Sequence, residues 1–260
     1  MLDIMPKIND QMIGLYAIKK YITKYRKLEI ELTKGDYGKF DLEDIITRFM
    51  DVLPNLKEIT IRPRGNTNAF ENFFYHKDSL IKHIETIKEL SRENKITINI
   101  VFPIESNIRL YKDILYSDIQ EILNLIKGYQ VHILLENRIF IREDVCTPLE
   151  ICKFFGDEQL LTCFNIKNTY KRSLLFLEDF KSYVKKYIHN NEKYIYQIHF
   201  SPIDKDIHEK LEELQKDFMF LKEFHLNEKL ICIDVKEIHE QDKIEEVKEL
   251  EFLEKIGLQK

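Results

Sequence analysis

Tryptophan is absent from these 260 residues, glycine occurs 7 times and proline 6 times. No stretch is rich in Gly, Pro or Ser, so nothing in the composition marks a linker between two domains, and we expect a single domain over residues 1–260. The 4 cysteines, Cys146, Cys152, Cys163 and Cys232, are widely spaced without a C-x-x-C pair. That excludes the usual zinc and disulfide spacings and leaves buried thiols in a reducing compartment as the simplest reading; no triplet is available for an iron–sulfur cluster. Long apolar runs are missing too: none approaches the roughly 18 residues that cross a bilayer, and MLDIMPKIND lacks the sections of a signal peptide. We therefore expect a cytoplasmic protein without a membrane partner. Basic excess is also absent. A net charge of −5 argues against a nucleic-acid partner.

What is present is alternation. Leu28, Ile30 and Leu32 interleave with Glu29, Glu31 and Thr33, which is the period of a strand. Helix 41–52 opens on Asp41 and stops near Pro54. The rhythm continues: strand 57–65, helix 77–93, strand 95–103, helix 109–127, strand from Val131, helix from Thr147, strand to Asn165, helix 173–188, strand 193–202, helix 205–222, strand 229–237 and helix 241–256. Met1–Met5 and a helix over 11–25 would supply the first unit. Strand–helix alternation implies a parallel sheet, and eight units make a closed (β/α)8 TIM barrel the economical architecture.

One parity of these strands is apolar and the other polar: Glu29 and Glu31, Thr60 and Arg62, Thr97 and Asn99, Gln197 and His199. An open doubly wound sheet, covered on both faces, would read apolar throughout. We therefore expect the apolar parity under the helices and the polar parity lining a lumen. The longest irregular stretch, RPRGNTNAFENFFYHKD (62–78), is expected to fold over the barrel mouth, with Phe70, Phe73, Phe74 and Tyr75 as a lid.

Ligands bind at the carboxyl edge of parallel sheets. Read to that edge, the polar parity brings Glu31, Arg62, Glu136, Asn165, His199 and Asp234 together, and Arg64, Glu105, Lys167, Asn168, Asp206, His208 and Glu237 lie on the adjoining loops. Carboxylates beside imidazole suit a divalent ion such as Mn, Mg, Zn or Co, which would polarise a carbonyl or activate a water. Arg62, Arg64 and Lys167 at the rim would suit an anionic group, and the mixture of donors and acceptors suits a sugar-like ligand. For each of these residues the plain alternative is a capped strand end or an ordinary ion pair.

From the fifth strand onward the segments LLEN (134–137), TPLEICKFF (147–155), LLTCFNIKN (160–168), QIHFSP (197–202) and ICIDVKE (231–237) resemble the xylose-isomerase-like TIM barrels, the sugar isomerases, sugar-phosphate epimerases and endonuclease IV. By this resemblance Glu136 is a metal ligand and base, His199 a ligand or substrate contact, and Asp234 stands where the family carries Glu. Asn137, Asn165, Lys167 and Asn168 join Arg62 and Arg64 as substrate contacts. The resemblance implies one divalent metal. The departures remove ligands and leave either a weak single-metal site on Glu136, His199 and Asp234 or none, and no trinuclear zinc site: Asn165 and Asn168 replace an acidic residue and a histidine, and Arg62 and Phe102-Pro103 stand where metal-dependent endonucleases of the family carry histidine. Three functions compete: a sugar or sugar-phosphate isomerase or epimerase; a non-catalytic barrel that binds a ligand or a protein; and, least supported, a phosphodiesterase of the endonuclease IV kind.

Overall fold

The computed structural model describes residues 3–9, 25–32, 41–63, 69–104, 112–137, 147–166, 168–169, 191–200 and 230–234, with isolated positions between 179 and 188. Eight strands run through them: β1 (Asp3–Asn9), β2 (Lys27–Leu32), β3 (Glu58–Pro63), β4 (Thr97–Ile104), β5 (Val131–Asn137), β6 (Leu160–Asn165), β7 (Ile195–Phe200) and β8 (Leu230–Asp234). All pair in parallel in chain order, and β1 also pairs with β8, so the sheet curls shut on itself. The described helices are α1 (Leu42–Val52), α2 (Ala69–Asn94), α3 (Lys112–Ile126) and α4 (Pro148–Phe155). The helices expected over 11–25, 205–222 and 241–256 lie outside the described residues.

Local chemistry sets these boundaries. Asp41 caps α1 by accepting from the Asp44 N–H at 3.0 Å, and α1 turns Leu42, Ile45, Ile46 and Phe49 inward. At α4 the Thr147 Oγ1 accepts from Glu150 N at 3.2 Å while Glu150 Oε2 accepts from Thr147 N at 2.9 Å, a reciprocal capping box with Pro148 just inside it. Gly156 ends α4 at φ +61°, where a Cβ is penalised, and its N–H reaches the Cys152 carbonyl at 2.9 Å.

Two expected boundaries move. The first strand runs to Asn9, well past Met5. The segment expected to be irregular through residue 78 is already helical from Ala69, which leaves only its first residues as a connection. The sequence carried the signal: Asn68 is followed three positions later by Glu71, the spacing of a helix start. The backbone of Phe70–Tyr75 therefore belongs to the first turns of α2, and their side chains lie outside the described residues.

The two parities separate as expected. Leu28, Ile30, Ile59, Ile61, Ile98, Ile100, Ile133 and Leu135 are buried in one cluster with Phe49, Ile87, Leu115 and Ile119 from the helices. The opposite parity turns into the lumen, where register sets Glu29 beside Thr60, Thr60 beside Asn99, Asn99 beside His132, and Glu136 beside Cys163. A register shift between β6 and β7 pairs Thr162 with Ile195 but Cys163 with Gln197, so Tyr196 is one residue too many. Such a bulge re-aims side chains. Here the Tyr196 hydroxyl donates to Glu58 Oε1 at 2.9 Å while its neighbour Gln197 also reaches lumen residues.

Candidate functional site

A hydrogen-bonded column fills the lumen from the amino to the carboxyl end of the strands. At the amino end Glu58 accepts from Tyr196, from Asn99 Nδ2 at 2.7 Å and from Lys27 Nζ at 3.1 Å. His132 Nδ1 lies 2.9 Å from Asn99 Oδ1; burial lowers its pKa, and the Glu58 carboxylate raises it by less. Asn99 also donates to Thr60 Oγ1 at 3.1 Å, and Thr60 in turn donates to Gln197 Oε1 at 3.2 Å. That orients the Gln197 amide so that its Nε2 meets Glu29 Oε2. Glu58, Asn99, Thr60 and Gln197 are thereby linked in one network, which is the condition for keeping such groups in a barrel interior.

The column opens into the cluster at the carboxyl end. His199 bridges two carboxylates, with Nε2 2.6 Å from Glu29 Oε2 and Nδ1 3.0 Å from Glu136 Oε1. Arg62 sits between two more: Nη2 is 3.0 and 2.8 Å from the two oxygens of Glu136, and Nη1 is 2.9 Å from Glu31 Oε1. Asn165 Nδ2 adds a donor to Glu136 Oε1 at 2.8 Å. Glu29 and Glu136 have no exposed surface, and Arg62 retains 8%. Burial pulls the guanidinium's pKa down, but the carboxylates of Glu136, Glu29 and Glu31 outweigh it and hold Arg62 firmly charged.

Behind this cluster, three asparagines tie β5 to β6. Asn137 Oδ1 accepts from Asn165 N at 2.6 Å, and its Nδ2 donates to Asn165 O and Thr169 Oγ1, both at 3.1 Å. Asn168 Nδ2 donates to Asn137 O at 2.9 Å, and Asn168 N donates to Asn165 Oδ1 at 3.0 Å. Two strand ends are thus clamped at the point where Glu136 and Asn165 project.

The structure brings together Glu136, His199, Arg62, Glu31 and Asn165, and sets Asn137 and Asn168 immediately behind them. Asp234 lies at the carboxyl end of β8, in register with Lys7, on the parity of Cys232, which pairs with His199. Its side chain lies outside the described residues, as do Arg64, Glu105, Lys167, Asp206, His208 and Glu237. Sequence reasoning put Glu29 and Gln197 in the lumen without giving them a part in the site. It missed Glu58, which shares the parity of Thr60 and Arg62, and Tyr196, whose direction depends on a bulge that strict alternation hides.

A metal is the group that this kind of barrel raises, and the donors can be tested against it. Ligand atoms of Glu136, Cys163 and His199 lie within 4.8 Å of one another. As arranged they do not fit a divalent ion. Both Glu136 oxygens already face the Arg62 cation, and Asn165 points a donor at Glu136. Both His199 nitrogens are already within hydrogen-bond distance of carboxylate oxygens, and Nε2 also lies 2.8 Å from the Gln197 amide nitrogen, so neither is turned toward an open position. Burial pushes the Cys163 thiol up in pKa, against the pull of His199, and keeps it protonated.

A closed parallel barrel with its ionisable residues at the carboxyl mouth defines an α/β barrel whose site occupies the place where such barrels act. Neither a protein-family model nor a curated protein sequence matches the chain. Solved structures do. The chain is similar to the 3-keto-D-glucoside 4-epimerase of E. coli (TM-score 0.61, 13% identity, 98% of this chain and 100% of that one). It is also similar to D-psicose 3-epimerase from Clostridium cellulolyticum H10 (TM-score 0.62, 11% identity, 96% and 98%). A third likeness is to an AP endonuclease of family 2 from Brucella melitensis (TM-score 0.56, 9% identity, 89% and 92%). With a xylose isomerase domain protein also among the matches, at 11% identity, the chain has the fold of the xylose-isomerase-like barrels.

Proposed function

We propose that residues 1–260 form one (β/α)8 TIM barrel whose carboxyl mouth binds a sugar or sugar-phosphate and carries out isomerase- or epimerase-type proton transfer. The observation that carries this reading is the direct contact of Glu136 with His199, 3.0 Å apart, beside the guanidinium of Arg62 at the strand ends. A carboxylate–imidazole pair supplies a base and an acid, and a neighbouring cation stabilises the oxyanion that forms when a C–H next to a carbonyl loses its proton. In this role Glu136 takes the proton, His199 returns one, Arg62 holds the oxygen, and Asn137, Asn165 and Asn168 fix the frame. Arg64 and Lys167, which follow β3 and β6 in the sequence, would supply the cations for a phosphate. The likeness to sugar epimerases agrees with this ligand class.

One observation favours a second reading. Glu136 is wholly enclosed and already accepts from Arg62, Asn165 and His199. A barrel whose base is so fully engaged would bind a ligand without transforming it.

Incubation with a panel of aldoses, ketoses and their phosphates in D2O, followed by NMR, decides between the two. Exchange of a carbon-bound proton that disappears in Glu136→Gln supports the enzyme. A thermal shift with a sugar but no exchange supports the binding barrel, and a panel that yields neither sinks both.

A further inference from the structure

Four observations at the mouth converge on one conclusion. The Arg62 guanidinium occupies the space between Glu31 and Glu136, within 3.0 Å of both, where a cation bridging two carboxylates would sit. Asn165, on β6, presents its amide N–H to Glu136, and its own oxygen accepts from the Asn168 backbone. The side chain therefore turns its amide N–H, which can only donate, toward Glu136, and its oxygen toward the backbone. The two nitrogens of His199 are turned toward Glu29 and Glu136. Finally, Arg62 Nε is buried and has no hydrogen-bond partner among the described residues. A buried donor without a partner is costly, a cost that an arriving acceptor removes.

We propose that Arg62 takes the place of a divalent metal in this barrel: its guanidinium is the site's resident cation, and its Nε–H is the donor that receives the carbonyl or oxyanion oxygen of the ligand. The nature of that ligand rests on the function proposed above; the replacement of metal by guanidinium does not. A guanidinium suits the position. It is planar, permanently charged, and offers five donors, enough to hold Glu31 and Glu136 and still present one to a ligand oxygen. It also explains why neutral Asn165 is tolerated beside Glu136. Where the cation is covalently part of the chain, no further carboxylate is needed to bind one.

The test reads metal response, independent of any sugar. Full-length protein purified without chelator is analysed for bound Mn, Zn, Co and Mg, and its thermal unfolding midpoint is followed with each ion and with EDTA. Wild type is expected to carry no stoichiometric metal and to show no change in midpoint in either direction. Arg62→Gln, which removes the guanidinium from between Glu31 and Glu136, is expected to gain a midpoint that rises with Mn²⁺ or Co²⁺ concentration, as linkage requires when an ion binds only the folded state. Arg62→Lys keeps a cation in place and gains none. Metal near one per chain in wild type, lost to EDTA with a falling midpoint, overturns the proposal. So does a folded Arg62→Gln that remains indifferent to every ion. If Arg62→Gln does not fold, the wild-type measurement decides alone. A sugar panel without binding would remove the proposed function and leave this result standing.

Discussion

Arg62 and Glu136 meet across the lumen although their strands, β3 and β5, are separated by β4: Nη2 of the arginine lies 2.8 and 3.0 Å from the two carboxylate oxygens. Removing one member of such a pair leaves the other buried without its counter-charge, which costs about 3–5 kcal/mol. Glu136→Gln should therefore lower the denaturant midpoint strongly, toward the lower end of that range because Glu31 still holds Nη1 of Arg62 at 2.9 Å. Adding Arg62→Met to Glu136→Gln should recover part of the loss, since the two changes together remove both charges. Equilibrium unfolding of the two single variants and the double variant checks this; strictly additive losses would show that the contact does not couple them.

Asn137 is predicted to act through the frame rather than through the ligand. Its side chain satisfies Asn165 N and Asn165 O, so Asn137→Ala leaves a buried N–H unpaired, at a cost of about 1–3 kcal/mol. The expected result is a lower unfolding midpoint together with faster hydrogen exchange at the amides of β6. Unchanged exchange at Asn165 would show that the clamp is dispensable.

How far the sequence announced this site follows from which interactions are local. Strand parity, Asp41 at the start of α1 and the helix start at Thr147 are written in neighbouring residues, and each appears as read. The meeting of Glu31, Arg62, Glu136, Asn165 and His199 followed from parity plus strand order, two regularities that need no long-range knowledge. What the sequence hid depends on distant partners. Gln197 is oriented by Thr60, from a strand 137 positions earlier, and Tyr196 turns inward only because β6 and β7 slip by one residue. The saturation of Glu136 by Arg62 and Asn165 is likewise invisible in any window of sequence. Lumen position marks a carboxylate as interesting but not as already spoken for.

Cys152 and Cys163 are predicted to be inert in the folded protein. Burial pushes both thiols up in pKa, so at pH 8 the reactive thiolate is scarcer than in the unfolded chain. A disulfide reagent followed by peptide mapping should modify neither before unfolding and both after it. Rapid native labelling of Cys163 would mean that the lumen around His199 opens more readily than its packing implies.

His132 provides a pH-dependent handle at the opposite end of the barrel from Glu136. Its ring is enclosed by Asn99, Tyr196 and the Glu58 carboxylate, and burial outweighs that carboxylate to lower its pKa below the usual 6.5. The unfolded chain therefore takes up the proton first as pH falls. The stability that neutral His132 contributes is fully present above about pH 6.5 and is lost as pH drops toward its folded pKa. His132→Asn removes the titration while keeping a polar side chain beside Asn99. The variant should start from a lower unfolding midpoint at pH 7.5 and lose less on going to pH 5 than wild type does. Curves that run parallel through that window would mean that the folded and unfolded chains protonate His132 alike, and that the amino-terminal end of the lumen is wetter than its hydrogen-bond network suggests.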